Sequence, residues 1–147
     1  MERTKPIHTP LITPPPNGSV SPEIFPAMGE EAIFRMLRDF YVLLAESSIA
    51  NLFASDHEEH MAAADKSAAF FVFLLGGPPL YQQRYGPPRM RQRHLIVEID
   101  EAARQEWLRC FGDVLEDATE KYSFPAEHLE GFIEFLVKFS AWMVNTE

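Results

Sequence analysis

One irregular stretch decides the fold prediction for this chain of 147 residues. Residues 76–99 read GGPPLYQQRYGPPRMRQRHLIVEI. Glycine and proline pairs end a helix sharply, because proline lacks the backbone donor that a helix interior needs. The stretch has little periodicity, and it holds four of the 13 basic residues of the chain, namely Arg84, Arg89, Arg91 and Arg93. We therefore expect an irregular, locally positive connection between helices.

Two helices are predicted before this connection. Apolar side chains recur with the spacing of one helix face over about residues 29–46. A second helix is expected from Ser55 to about Leu75, because Ser55 and Glu58 have the spacing of a capping box. The glycine pair that opens the connection marks the end of this helix.

Two more helices are predicted after the connection. Asp100 is a candidate N-cap for a helix over about residues 101–120, since a short acidic side chain can accept a hydrogen bond from the first turn. Pro125 suits the first position of a helix over about residues 126–145. The chain is therefore predicted to be all-α, with four long helices.

The N-terminal end differs in composition from the rest of the chain. Seven of the 12 prolines lie within residues 1–26. Consecutive prolines can neither continue a helix nor pair in a sheet. We expect a proline-rich extended or disordered arm over residues 1–26 and one globular domain over residues 27–147. Both a docking role for the arm and the absence of any role stay open.

Composition and charge exclude several classes of protein. The chain is 46% hydrophobic and 24% charged, which is typical of a soluble globular protein. Its 13 basic and 22 acidic residues give a formal net charge of −9, which argues against binding to nucleic acid or to an anionic membrane. The single cysteine, Cys110, leaves no internal disulfide and no multi-cysteine zinc site. Without a signal peptide or an apolar stretch of membrane-spanning length, a cytoplasmic protein is expected.

A histidine and two aromatic donors are candidate site residues on chemical grounds. His94 lies near the end of the connection, and a neutral imidazole is the commonest metal ligand and a typical axial ligand of haem iron. Tyr41 and Trp107 carry donors on separate apolar faces that could point into one polar pocket. On spacing alone, a surface histidine and ordinary core aromatics explain the same residues, so that alternative stays open.

Several motifs together resemble those of a known family. They are GGP at 76–78, RQRH at 91–94 and WLRC at 107–110, accompanied by FY at 40–41 and MVN at 143–145. At these spacings the chain resembles the truncated haemoglobins, and most closely their group II. The resemblance covers about residues 27–146, and the proline-rich arm lies outside it.

The resemblance implies a two-over-two α-helical sandwich around a haem. The haem would be a noncovalently held haem b, since the chain has no Cys-x-x-Cys-His attachment motif. His94 would be the proximal ligand of the iron. Tyr41 and Trp107 would donate hydrogen bonds to a ligand on the distal side, and Ala63 and Ser67 would lie beside that ligand.

The resemblance also implies which residues contact the haem. Haem is a flat apolar disc with two carboxylates at one edge, so it needs aromatic walls and cations at the rim. Lys66 and Arg93 would pair with the haem propionates. The residues implied to contact the cofactor are Phe53, Lys66, Phe70, Phe71, Tyr81, Met90, Arg93 and His94.

The chain departs from the family pattern between Phe53 and Gly77, where it is a few residues longer than usual. Counting back from Gly77 puts Ala63 at the distal position, whereas counting forward from Phe53 puts His60 there. We adopt the first count, because it also aligns the haem-packing residues of the same helix. We then expect an open distal side, with His57 and His60 exposed near a helix start. The alternative is that one of them swings in and makes a six-coordinate haem.

These expectations lead to a function hypothesis. The chain is expected to bind dioxygen, or another small diatomic ligand, through its haem and to release dioxygen slowly, as an oxygen-binding or oxygen-transport protein. The alternative is a haem redox enzyme, peroxidase-like or a nitric oxide dioxygenase, that takes electrons from a separate reductase. A sensor or interaction module, supported by the arm, is a third hypothesis. Enzymatic activity and a homodimer are left open.

Overall fold

The computed structural model describes residues 20–87, 89 and 97–146. Over these residues the all-α prediction is confirmed. The α-helices in chain order are α1 (Ile24–Met28), α2 (Glu30–Ala45), α3 (His57–Leu74), α4 (Leu80–Tyr85), α5 (Glu101–Leu115), α6 (Ala118–Tyr122) and α7 (Leu129–Met143). Two short 3-10 helices lie in the connections, at Ala50–Leu52 and Ala126–His128. Across this described part of the chain, no helix combines the length and the apolar character needed to cross a membrane.

The four long helices form two pairs around one core. Helix α2 packs against α3, α5 packs against α7, and α2 also packs against α5. Phe40, Phe111 and Phe132 are buried in this core. The ring of Phe111 lies 4.2 Å from that of Phe40 and 5.8 Å from that of Phe132, measured between ring centres. These ring contacts tie α2, α5 and α7 together.

Side-chain caps determine where α3 and α5 begin. The Asp100 carboxylate accepts a hydrogen bond at 2.8 Å from the amide three residues later, as predicted for α5. In α3 the cap is Asp56, whose carboxylate accepts from the amide three residues later at 3.0 Å. The predicted capping box of Ser55 and Glu58 is therefore wrong by one residue. A carboxylate at position 56 satisfies the amides of the first turn that have no partner within the helix.

The C-terminal half of the chain is divided into more helices than predicted. Helix α5 ends at Leu115 rather than near residue 120, because the chain then turns so that Tyr122 packs back on α2. There the Tyr122 hydroxyl donates a hydrogen bond to Asp39. Pro125 precedes a 3-10 turn, and the long α-helix starts four residues later, at Leu129.

The predicted arm contributes residues to the core. Residues 1–19 lie outside the described residues, but Val20 and Ile24 are buried. The amide of Phe25 donates at 2.8 Å to the carbonyl of the residue that follows α3. Helix α1 tolerates Pro26 because the first turn of a helix has no partner for the missing amide. The predicted arm boundary at residue 26 is therefore too late, since the packed chain includes residues from 20 onward.

Candidate functional site

A cavity of about 560 Å³ lies among α2, α3, α5 and α7. Its volume falls within the range of pockets that hold small molecules and cofactors. Nine of the predicted site residues line it, namely Tyr41, Phe53, Ala63, Lys66, Ser67, Phe70, Phe71, Tyr81 and Trp107. The other three predicted site residues, Met90, Arg93 and His94, lie outside the described residues. The tertiary structure thus brings together side chains that are far apart in the sequence.

Tyr41 lines the cavity from α2 and is hydrogen-bonded to Ser67 of α3. Burial raises the pKa of Tyr41, and the hydrogen bond with Ser67 lowers it in part. Burial is the larger of the two effects, so the pKa of Tyr41 lies above its ordinary value. The Tyr41 phenol therefore keeps its proton at neutral pH.

Edge-to-face packing holds the rings of Tyr41 and Trp107. The ring centre of Phe40 lies 5.7 Å from that of Tyr41 and 5.5 Å from that of Trp107, with interplanar angles of 89° and 83°. Phe111 contacts Trp107 at 5.4 Å. Such pairs favour one ring orientation over others. Two hydrogen-bonding aromatic side chains from α2 and α5 are thus positioned on one cavity by a shared buried ring.

Aromatic side chains of α3 and α7 form a wall of the cavity. The ring centres of Phe70 and Phe71 lie 5.5 Å apart with an interplanar angle of 81°. The ring centre of Phe139 of α7 lies 5.8 Å from that of Phe70. Tyr81 of α4 is buried and contacts Phe70 at 6.3 Å between ring centres. This wall presents apolar ring surface to any group that occupies the cavity.

Lys66 places a positive charge at the rim of the cavity. Lys66 is exposed to solvent and also lines the cavity, which places it at the edge. Its Nζ lies 5.0 Å from the centre of the Tyr85 ring, within the range of a cation–π contact. A group with an apolar body and an anionic edge therefore has complementary surfaces here.

Glu106 of α5 holds the turn that carries Phe53 to the cavity. Its carboxylate accepts a hydrogen bond from the Ser48 amide at 3.3 Å and two from Arg109 at 2.8 Å each. The hydrogen bonds from Arg109 lower the pKa of Glu106 to about 2. The sequence did not mark this residue as functional, and its only signal was the i,i+3 spacing to Arg109.

Glu106→Gln is expected to lose stability in a pH-dependent way. A carboxyl group with a lowered pKa in the folded state stabilises that state above its ordinary pKa of about 4.5, and the effect is lost as the pH falls towards about 2. The free energy of unfolding in urea should therefore differ between the two proteins at pH 6.5, and the difference should shrink between pH 4.5 and pH 3. A difference that stays constant over this range would contradict the role of the charge.

The C-terminal residues hold the segment that leads into α5. The Asn145 side chain accepts from the Ile99 amide at 2.8 Å and donates to the Val97 carbonyl at 2.8 Å. The Asn145 amide donates to the Ile99 carbonyl at 2.9 Å. Val97 and Ile99 both line the cavity. The MVN motif therefore supplies a clamp for a cavity wall, a role that the sequence alone did not suggest.

Arg104 is a cavity residue that was not predicted from the sequence. Its Nε donates to the Ser140 hydroxyl at 3.0 Å and its Nη2 to the Val137 carbonyl at 3.0 Å, which links α5 to α7. Its Nη1 pairs with Glu101 at 2.7 Å. The signal was its position three residues before Trp107, on the same face of a helix. Its positive charge in the cavity wall is balanced by a neighbouring carboxylate.

His60 is buried, whereas both nearby histidines were predicted to be exposed. It is 3% exposed, and its Nε2 lies 2.6 Å from the Tyr41 carbonyl oxygen, while His57 is exposed as expected. The prediction for His60 is wrong because the first turn of α3 packs on α2. Among the described residues that line the cavity, Ala63 is present and His60 is not, which favours the count made from Gly77.

Comparison with known proteins gives consistent matches. A family model for bacterial-like globins matches residues 23–145. The group 2 truncated hemoglobin YjbI of Bacillus subtilis (strain 168) is 34% identical over 93 residues, which are 63% of this chain and 68% of that protein.

Two solved structures share the fold. Phosphate-bound Hell's gate globin IV has a TM-score of 0.79 and 37% identity, over 86% of this chain and 76% of that one. The truncated oxygen-avid haemoglobin from Bacillus subtilis has a TM-score of 0.72 and 30% identity, over 85% of this chain and 99% of that one. The predicted two-over-two helical fold is confirmed by these likenesses.

Proposed function

Because this chain belongs to the bacterial-like globin family, we propose that its cavity holds a haem and binds dioxygen or another small diatomic ligand beside Tyr41 and Trp107. The observation that carries the proposal is the meeting of aromatic walls, a rim cation and two hydrogen-bonding side chains at one cavity. Haem-based binding of gaseous ligands is the common property of globins. The identity of the ligand, its distal contacts and its slow release are the parts that we add.

The described residues fit a flat apolar group with carboxylates at one edge. Aromatic rings of α3 and of the turn before it offer apolar contact, and Lys66 offers a positive charge at the rim. A haem b, when bound noncovalently there, supplies the ferrous iron to which a diatomic ligand coordinates. We propose that the cofactor site is completed by Tyr81, Met90, Arg93 and the iron ligand His94, of which the last three lie outside the described residues.

The distal side chains explain how dioxygen would be retained. Bound dioxygen carries partial negative charge, so a phenol proton and an indole N–H aimed at it slow its release. Burial keeps the Tyr41 phenol protonated, so that it can donate to a ligand, and the contact with Ser67 restricts the position of its oxygen. Ala63, which also lines the cavity, has a small side chain with no atom that can coordinate a metal, so it leaves space for a ligand.

Absorption spectroscopy tests the proposal directly. The purified protein should take up one haem per chain, show a five-coordinate high-spin spectrum when reduced, and form dioxygen and carbon monoxide complexes. A protein that takes up no haem would contradict the proposed function. A low-spin reduced spectrum that persists after His57 and His60 are both replaced would show a different sixth ligand. Peroxide-driven oxidation of a dye, well above that of free haem, would favour the redox alternative.

A further inference from the structure

His60 makes contacts that couple it to the distal side of the cavity. Its Nε2 lies 2.6 Å from the Tyr41 carbonyl oxygen. Its ring centre lies 5.1 Å from that of Tyr41 and 5.7 Å from that of Phe53. Both of these aromatic residues line the cavity, and His60 lies behind them. A carbonyl can only accept, so Nε2 carries the proton in this hydrogen bond.

The burial of this imidazole has a free-energy cost that an apolar side chain would avoid. Its Nδ1 is buried and has no hydrogen-bond partner within the described residues. A buried polar atom without a partner destabilises the fold, so a leucine or phenylalanine would fill the same space more favourably. The feature that only the histidine provides is the hydrogen bond to Tyr41. A buried polar group of this kind calls for a specific explanation.

The spacing of α3 shows what this hydrogen bond does. His60 and Ser67 are seven residues apart, which is about two helical turns and places them on the same face. Ser67 is hydrogen-bonded to the Tyr41 hydroxyl, and His60 is hydrogen-bonded to the Tyr41 backbone. Helix α3 therefore holds Tyr41 at both ends, one contact at the hydroxyl and the other at the main chain.

We propose that His60 is a positioning residue for ligand binding, which orients Tyr41 through its backbone and through the ring contact shared with Phe53. This inference rests on the proposed function, since it concerns the residue that would donate to the ligand. His60 touches no ligand itself. Replacement of His60 does not remove the Tyr41 hydroxyl, but it allows that hydroxyl to move away from the ligand.

The test compares three variants in the haem-loaded protein. His60→Phe keeps an aromatic ring and removes the donor, His60→Gln restores an N–H donor, and His57→Gln changes an exposed histidine on the same helix. The readouts are the dioxygen dissociation rate and the C–O stretching frequency of the carbon monoxide complex, which reports hydrogen bonding at the ligand. We expect His60→Phe to speed dissociation about threefold to tenfold, the range for weakening one hydrogen bond, and to raise the C–O frequency. His60→Gln should return both towards the original values, and His57→Gln should change neither.

Tyr41→Phe, measured alongside, separates the two proposals. If Tyr41→Phe shifts both readouts and His60→Phe shifts neither, the positioning role is wrong and the proposed function stands. If neither variant shifts them, the hydrogen bond from Tyr41 to the ligand and the positioning role of His60 are both wrong, whereas haem-based ligand binding is tested separately by the absorption spectra. Nitrogen-15 NMR of the unmodified protein adds a test that needs no folded variant. It should show His60 protonated at Nε2, and a tautomer with the proton on Nδ1 alone would overturn the inference.

Discussion

Tyr41→Phe is expected to release dioxygen about tenfold faster than the unmodified protein, because a hydrogen bond of roughly 1–2 kcal/mol is lost in a site of low dielectric. The variant removes only the hydroxyl and keeps the ring against Phe40 and Phe53. Dissociation is measured by mixing the dioxygen complex with carbon monoxide in a stopped-flow instrument. Trp107→Phe should act in the same direction, since we propose the indole N–H as the second donor.

The chain offers a matched control for this change. Tyr122 is also buried, and its hydroxyl donates to Asp39, but it does not line the cavity. Tyr122→Phe should therefore lower the free energy of unfolding and leave the dissociation rate unchanged. If Tyr41→Phe changes the dissociation rate by less than twofold, or if both tyrosine variants change it equally, the proposal that Tyr41 donates a hydrogen bond to the ligand is wrong.

The second large effect is expected at Gly76, where Gly76→Ala should lower the free energy of unfolding by about 2–5 kcal/mol. Gly76 has a φ of +107°, and an added Cβ would lie 2.0 Å from the carbonyl oxygen of Pro22. The substitution therefore combines an unfavourable backbone conformation with a clash against the segment that carries α1. Urea unfolding measures the loss, and hydrogen exchange at the Phe25 amide should show that this segment detaches first.

Gly86→Ala separates backbone strain from the clash. Gly86 has a φ of +86°, but an added Cβ there would meet no atom within 4 Å. It should cost about 1–2 kcal/mol, the price of the backbone conformation alone. If Gly76→Ala costs no more than Gly86→Ala, the close approach of the N-terminal segment does not stabilise the fold.

The all-helical class and the approximate positions of the four long helices could be predicted because they depend on local patterns. Asp100 caps α5 as its sequence position indicates, and the paired glycines follow the end of α3. The errors arose where distant contacts compete with local ones. The break after Leu115 serves the packing of Tyr122 on α2, and residues from Val20 onward pack although prolines surround them.

In the candidate site, too, some features could be predicted from the sequence and others depend on distant contacts. The resemblance assigned nine described residues that the tertiary structure brings to one cavity. It did not indicate that Glu106 holds the turn of Phe53 or that Arg104 links α5 to α7. It also left His60 open between an exposed residue and an iron ligand, and the structure shows a third arrangement. Each of these roles depends on a contact with a residue that is distant in the sequence.

The sequence by itself determined the all-α class, the approximate positions of the four long helices and, through its motifs, the family. Those features depend on spacing within one segment, where periodicity and capping act over a few residues. Only the tertiary structure decided which side chains hold the cavity residues in place. Whether His60 faces Tyr41 or solvent depends on how α3 packs on α2. Successive side chains of a helix are about 100° apart around its axis, so a small change in packing decides which of them are buried.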